Sequence, residues 1–276
     1  MKVAASIGGV PVPEEVLEEL KQYSFPDHKG RPGEVGGSLP RDAGEGSDTA
    51  LKNNPNENLS QAELKDRNEI RERLTGVAKE WLSKQEGDID RKRLGLLSRY
   101  LSDNHADDLE AISKYFTDTD KYVGRCTVHL VVGDDKTPDV WLLGWRDGRQ
   151  EGTEVHDHGP SEAGVYVHAG NVAEEIFAID RADAGKDVMD YRAVERGLGQ
   201  GSTAHIAAPY IHEIHNDNDN ELSVTVHAYY PPLDKMTFYN QQGGKLVRKG
   251  EWNEDRSKKQ RGYGYYPCCG SSVRFG

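Results

Sequence analysis

The hydrophobic positions follow two different periods along the chain. Ser60 and Glu63 form a capping-box pattern. After it, Leu64, Ile70, Leu74, Val77 and Trp81 recur mostly at three- or four-residue intervals, which predicts an amphipathic helix. The same spacing predicts a second helix over 90–101, with Leu94, Leu97 and Tyr100 inward. A third is predicted over 106–116, with Leu109, Ile112 and Phe116 inward. Three such helices suit a cap packed on something larger. From residue 122 the period becomes two. The segments CTVHLVV, DVWLLGW, TEVHDH, AGVYVHA, VAEEIFAI, TAHIAAP, LSVTVHAYY and MTFYN read as short strands. Turns such as GDDKT, RDGRQEG and NDNDNE separate them, and this arrangement predicts a sandwich or small barrel.

The flanks lack either period. Residues 28–59 are dense in Gly, Pro, Asn and charge, and bury too little apolar area to offset ordering entropy. A short helix is possible at 13–23. The piece GRPGEVGGSLP resembles glycine-rich linkers of phage structural proteins, over that piece alone. The pattern divides the chain into four parts. These are a weakly structured, Gly/Pro-rich N-terminal extension (1–59), a helical cap (60–118), a barrel (119–240) and a polar C-terminal tail or surface wrap (241–276). Hydrophobic residues make up 35% of the 276, below the globular average, as flanks of this kind imply.

Charge and cysteine usage narrow the function classes. The formal net charge of -12 disfavours nucleic acid as a partner, because backbone binding needs clustered positive charge. A run of about eighteen apolar residues, the mark of a membrane span, is absent, and so is the h-region of a secretory signal. Cys126, Cys268 and Cys269 make no disulfide framework, and the adjacent Cys268 and Cys269 have too few companions for a zinc site. The expected location is therefore cytoplasmic. The oligomeric state is left open.

The chemistry concentrates in EVHDHG. His156 and His158 stand at i and i+2, so on a strand both rings point to one face and can chelate a metal. A third ligand must come from another strand, and His212 in APYIHEIHN is the best placed. His215 should point to the opposite face. His129, His168 and His205 read as structural or exposed.

With these residues the segment 122–239 resembles the cysteine dioxygenase-like thiol dioxygenases of the cupin superfamily. His156, His158 and Gly170 fall at places of the first cupin motif, and His212 and Asn216 at those of the second. Trp141 and Trp145 lie on the strand that precedes the first motif in the family. Thr225, His227, Tyr229, Pro231 and Pro232 fit its hydroxyl-x-His-x-Tyr phrase and Pro-Pro turn. The resemblance implies a mainly β cupin, a double-stranded β-helix or jelly-roll small barrel, with an N-terminal helical cap and flexible terminal extensions. It implies that His156, His158 and His212 hold Fe(II), leaving positions for substrate and O₂. It implies that Arg125 grips a substrate carboxylate, which a guanidinium fork matches bidentately. Thr225, His227 and Tyr229 would form a relay beside the metal. The implied reaction turns a small carboxylate-bearing thiol, such as cysteine or 3-mercaptopropionate, into its sulfinate with O₂.

The sequence departs from that pattern in places. Ala163 stands where some animal members carry a cysteine that crosslinks to the tyrosine, so no crosslink to Tyr229 is expected. Thr225 replaces the usual serine. Glu162 lies four residues after His158, near the place where many cupins put a metal-ligating glutamate; counting back from Gly170 favours Ala163 for that slot. Two alternatives stay open here. One is a three-His, one-Glu site acting on a non-thiol substrate. The other is a non-catalytic binding or structural module.

Overall fold

The computed structural model describes residues 6–7, 10–11, 60–117, 126–146, 152–182, 188–208, 210–217 and 221–253. The readings of residues 13–59, of Arg125 and of Cys268 and Cys269 fall outside these residues. Near the N-terminus, β1 (Ser6–Ile7) pairs antiparallel with β2 (Val10–Pro11). Among the described residues three helices follow: α1 (Gln61–Ser83), α2 (Arg91–Asn104) and α3 (Ala106–Thr117). Each begins where the periodicity predicts. The Ser60–Glu63 capping box is formed in both directions, and Asp90 caps α2 by accepting from the Arg93 N–H. These side chains satisfy backbone donors that a helix start leaves without partners.

The strands β3 (Cys126–Val131), β4 (Asp139–Trp145), β6 (Glu162–Ala169), β9 (Thr203–Ile206) and β11 (Ser223–Tyr230) form one sheet in the order β3-β4-β11-β6-β9. The strands β5 (Val155–Asp157), β7 (Asn171–Ala182), β8 (Val188–Gly199), β10 (Ile211–Asn216), β12 (Lys235–Gln242) and β13 (Lys245–Asn253) close a ring in the order β10-β5-β12-β13-β8-β7. Every pairing is antiparallel. The architecture is mainly β, a closed six-stranded ring and a five-stranded sheet with a helical cap.

The five-stranded sheet is covered on both faces, which is why β4 is buried at every position instead of alternating. On its outer face Val140, Leu142, Val224, Val226 and Ala228 pack against Leu74, Leu94, Leu97, Leu101, Leu109 and Ile112 of the helices. Each of those fully buried leucines contributes about 1.5–3 kcal/mol relative to exposure. The helix lies very close. A Cβ built on Gly164 in β6 would strike the backbone of Gly95 in α2, and the Ser98 hydroxyl donates to the Gly164 carbonyl at 2.9 Å. On the inner face Trp141, Leu143, Trp145, Val165 and Tyr229 meet Ile176, Tyr210, Ile214 and Phe238 of the ring. A third cluster, with Phe177, Met189, Ile211, Tyr239 and Leu246, lies on the other face of the ring strands.

Two ring strands differ from the expectation. Residues 245–253 form β13, not a polar tail, and β8 occupies a segment with no predicted strand. Both are ribbon strands whose positions are mostly part-exposed. Only Met189 and Leu198 in β8, and Leu246 in β13, are buried. Cross-strand pairing with β7 and β12 holds them in place more than an apolar stripe does.

Candidate metal centre

The site forms where β5 crosses between β10 and β12. His156 and His212 are direct cross-strand partners, and His158 follows just beyond the end of β5. All three residues are buried, with exposures of 3, 2 and 1% for His156, His158 and His212. His158 Nε2 lies 3.1 Å from His156 Nε2 and 3.3 Å from His212 Nε2. Among the described residues, these three histidines are the group of His, Cys, Asp or Glu side chains that converges closely enough for a metal, with ligand atoms within 4.8 Å of one another.

The outward nitrogens fix the tautomers. His156 Nδ1 lies 2.7 Å from the Glu154 carbonyl oxygen, so it carries the proton and Nε2 carries the lone pair. His212 Nδ1 lies 2.8 Å from a Glu174 carboxylate oxygen and must donate likewise. His158 is held neutral, with its pKa well below the ordinary value. Burial is the main cause, followed by the charges that neighbouring His156, His212 and His227 would carry. At least two lone pairs therefore aim at one point, and neutral imidazoles converging this closely suit a divalent transition metal. The donor set fits the iron that the resemblance implies.

A chain of buried polar side chains lies beside the three histidines. Thr225, His227 and Tyr229 alternate along β11 on its inner face, all buried. Thr225 Oγ1 lies 2.8 Å from His227 Nε2, and His227 Nδ1 lies 3.1 Å from the Tyr229 hydroxyl. The structure adds a member that the sequence reading did not give a role. The Trp145 indole N–H donates to Thr225 Oγ1 at 2.8 Å. An indole only donates. The arrangement that satisfies every group then has the Thr225 O–H donating to His227 Nε2 and the His227 Nδ1–H donating to the Tyr229 oxygen. Tyr229 keeps its own proton to donate elsewhere. Its ring meets His158 edge-on at 4.9 Å, so the chain ends beside one of the three converging histidines. Phe238 and Tyr210 flank His156 and His212 with ring centroids at 6.2 and 5.6 Å, forming an aromatic wall beside the three histidines.

Other predicted residues take supporting places. Glu162 is no ligand: its Oε2 accepts from the backbone N–H of Arg91, at the start of α2, at 3.0 Å. The next residue, Ala163, pairs with Tyr229 and lies in the inner core. Glu162 and Ala163 thus take opposite faces, as alternation requires, and the four-ligand alternative loses its carboxylate. Asn216 is a strut. Its side chain donates to the carbonyls of Trp145 and Glu221 and accepts from the Ser223 hydroxyl, tying the end of the His212 strand to β4 and β11. Gly170 has φ 73°, and a Cβ there would meet the Ser223 side chain, so glycine is required at the β6–β7 turn. His215 faces away from His212, 3.9 Å from Glu195. His129 is buried against Asp139 and stacked on Trp141.

Glu174 was missed by the sequence reading. It is fully buried on β7, beside His212, and Arg196 of β8 contacts its second oxygen through Nε at 2.7 Å and Nη2 at 2.6 Å. Burial pushes its carboxyl up. The His212 hydrogen bond and the Arg196 guanidinium outweigh that and hold it below the ordinary value. A signal was present, since Glu174 shares parity with Val172 and Ile176 on an apolar face, where a carboxylate requires partners.

Comparison with known proteins adds a family to this geometry. Cysteine dioxygenase type 1 from Rattus norvegicus is 29% identical over 121 residues, covering 44% of this chain and 58% of that protein. The Homo sapiens protein of the same name gives the same values. The chain thus spans less than two thirds of the length of these relatives. A cupin superfamily protein from Desulfitobacterium hafniense aligns in structure over 38% of this chain and 74% of its own, with 13% identity and a TM-score of 0.26. The profile of the family described as cysteine dioxygenase type I matches residues 89–242, from the start of α2 through β12, and takes in all three histidines and the relay. That match covers more than half of the chain, which belongs to the cysteine dioxygenase type I family.

Proposed function

We propose that the protein is a non-haem iron(II) thiol dioxygenase that converts a small carboxylate-bearing thiol to its sulfinate. Both atoms of O₂ end on the sulfur, which is oxidised while O₂ is reduced, and the thiol proton is released. The observation that carries this reading is the convergence of three buried imidazoles beside the directed Trp145–Thr225–His227–Tyr229 chain. When bound, iron(II) supplies the electron transfer between sulfur and O₂ that side chains cannot. Neutral histidines leave the charge of a divalent cation uncompensated, so the pocket favours an anionic thiolate over a thiol. Tyr229 holds a proton at its hydroxyl, ready to orient or protonate a polar group lodged against His158. The aromatic wall excludes water from the reacting atoms. Arg125, which lies outside the described residues, is assigned to the substrate carboxylate on the family resemblance alone.

The test is O₂ consumption by the iron-loaded protein with cysteine, cysteamine, 3-mercaptopropionate and ergothioneine, with sulfinate detected by mass spectrometry. Sulfinate from a carboxylate-bearing thiol supports the reading. Bound iron without turnover of any thiol removes it. Arg125→Ala sharpens the substrate assignment. It should lower kcat/KM for the acids about 10- to 150-fold, the value of a hydrogen bond to a charged group, with iron content unchanged. Cysteamine, which has no carboxylate, should show no such loss.

A further inference from the structure

The three histidines differ in what holds their outer nitrogens. His156 Nδ1 has a backbone carbonyl at 2.7 Å and His212 Nδ1 has a carboxylate at 2.8 Å. His158 Nδ1 is buried and makes no hydrogen bond among the described residues. A carbonyl suffices to set a tautomer, as His156 shows. Glu174 is a much costlier choice, because burying a carboxylate carries a large desolvation penalty. Arg196 compensates that charge. It is the cross-strand partner of Glu174, and Glu174 in turn lies on the strand that pairs with the His212 strand. A single file of guanidinium, carboxylate and imidazole therefore runs across β8, β7 and β10. Hydrogen bonds to an ionised acceptor are shorter and about twice as strong as neutral ones. They orient the ring and raise the basicity of its inner nitrogen.

From this we infer that Glu174, fixed by Arg196, is a positioning residue that makes His212 the strongest and most rigidly aimed of the three ligands. The site is graded in the order His212, His156, His158. Affinity for a divalent cation depends on a residue that does not touch the cation. The inference rests on the metal-site reading. It also competes with a plainer role, in which the ion pair merely fastens β7 to β8.

Cobalt(II) titration of the full chain, stripped of metal with a chelator, separates the two roles. The readouts are d–d absorption for the site and urea unfolding of the metal-free protein for the fold. Glu174→Gln should weaken cobalt binding about 10- to 100-fold and shift the absorption bands. The double substitution Glu174→Leu, Arg196→Met removes the pair without stranding either charge. It should bind cobalt as weakly as Glu174→Gln, while its metal-free stability stays near that of the original protein, the unpaired His212 Nδ1–H offsetting the gain from removing a buried ion pair. The double variant decides alone if Glu174→Gln does not fold. Cobalt binding within about twofold of the original, with unchanged bands, would overturn the inference, since outer partners normally matter 10-fold or more. A test without substitutions uses the zinc-loaded protein. Exchange of the ligand-ring N–H protons, followed by NMR, should be slowest at His212, and a uniform rate at all three rings would overturn the grading. Failure of the original protein to take up cobalt at all would overturn the metal-site reading and this inference with it.

Discussion

The two faces of β11 solve opposite problems with one strand. Outward, Val224, Val226 and Ala228 meet the helices in an apolar layer. Inward, Thr225, His227 and Tyr229 are buried just as deeply, yet every one of them is polar. The outer face needs only volume and shape, which many apolar combinations supply. The inner face needs each donor matched to an acceptor in a fixed direction, because an unmatched buried polar group is costly. One sheet thus carries a tolerant side that holds the fold and an exacting side that serves the site. The comparison predicts that substitutions divide the same way, with stability lost outside and chemistry lost inside.

The largest effect expected is Tyr229→Phe. It removes one oxygen from the end of the chain and should lower kcat about 10²- to 10⁴-fold, the range of a positioned proton donor. Iron content should stay near that of the original, and stability in urea should fall only by the cost of the stranded His227 Nδ1–H, about 1–3 kcal/mol. A matching collapse in stability would break the division of roles between the faces. Next comes Leu97→Ala, beneath the outer face, which leaves a cavity and should cost about 2–5 kcal/mol in urea unfolding. The fraction that remains folded should keep its iron and its turnover. Thr225→Val follows. It strands both the Trp145 indole and His227 Nε2, and should cost about 1–3 kcal/mol while also slowing turnover. The smallest effect expected is Thr225→Ser, which keeps the hydroxyl and deletes one buried methyl. Its cost should be near 0.8 kcal/mol, with the activity profile retained. A large loss of turnover from that change would show that the methyl itself shapes the pocket.

The sequence made the tolerant regions legible and the exacting ones partly so. Leu94 and Leu97 on α2, and the alternation in DVWLLGW, are repeated local signals, and they reappear as buried faces. The three converging histidines and the Thr225–His227–Tyr229 chain were readable because fixed residue types at fixed spacing carry them. β8 and β13 were not, because VMDYRAVERGLG and KLVRKGEWN bury few side chains and are held by pairing, a non-local property. Glu174 was hidden by its neighbour. VAEEIFAI offers two glutamates, and only the register against His212 and Arg196 distinguishes the buried one from the part-exposed Glu175. Trp145 was noticed for its place in a family pattern, whereas its donation to Thr225 across 80 residues of chain is a tertiary fact.

The pairing of His156 directly opposite His212 has a consequence for assembly. Side chains alternate faces along a strand, so a slip of one residue between β5 and β10 would turn one imidazole out of the site. A misaligned ring would then bring only part of the ligand set together and would hold a divalent ion poorly. With an ion held as proposed, metal uptake would proofread the alignment of these strands, since only molecules that close the ring correctly would retain it.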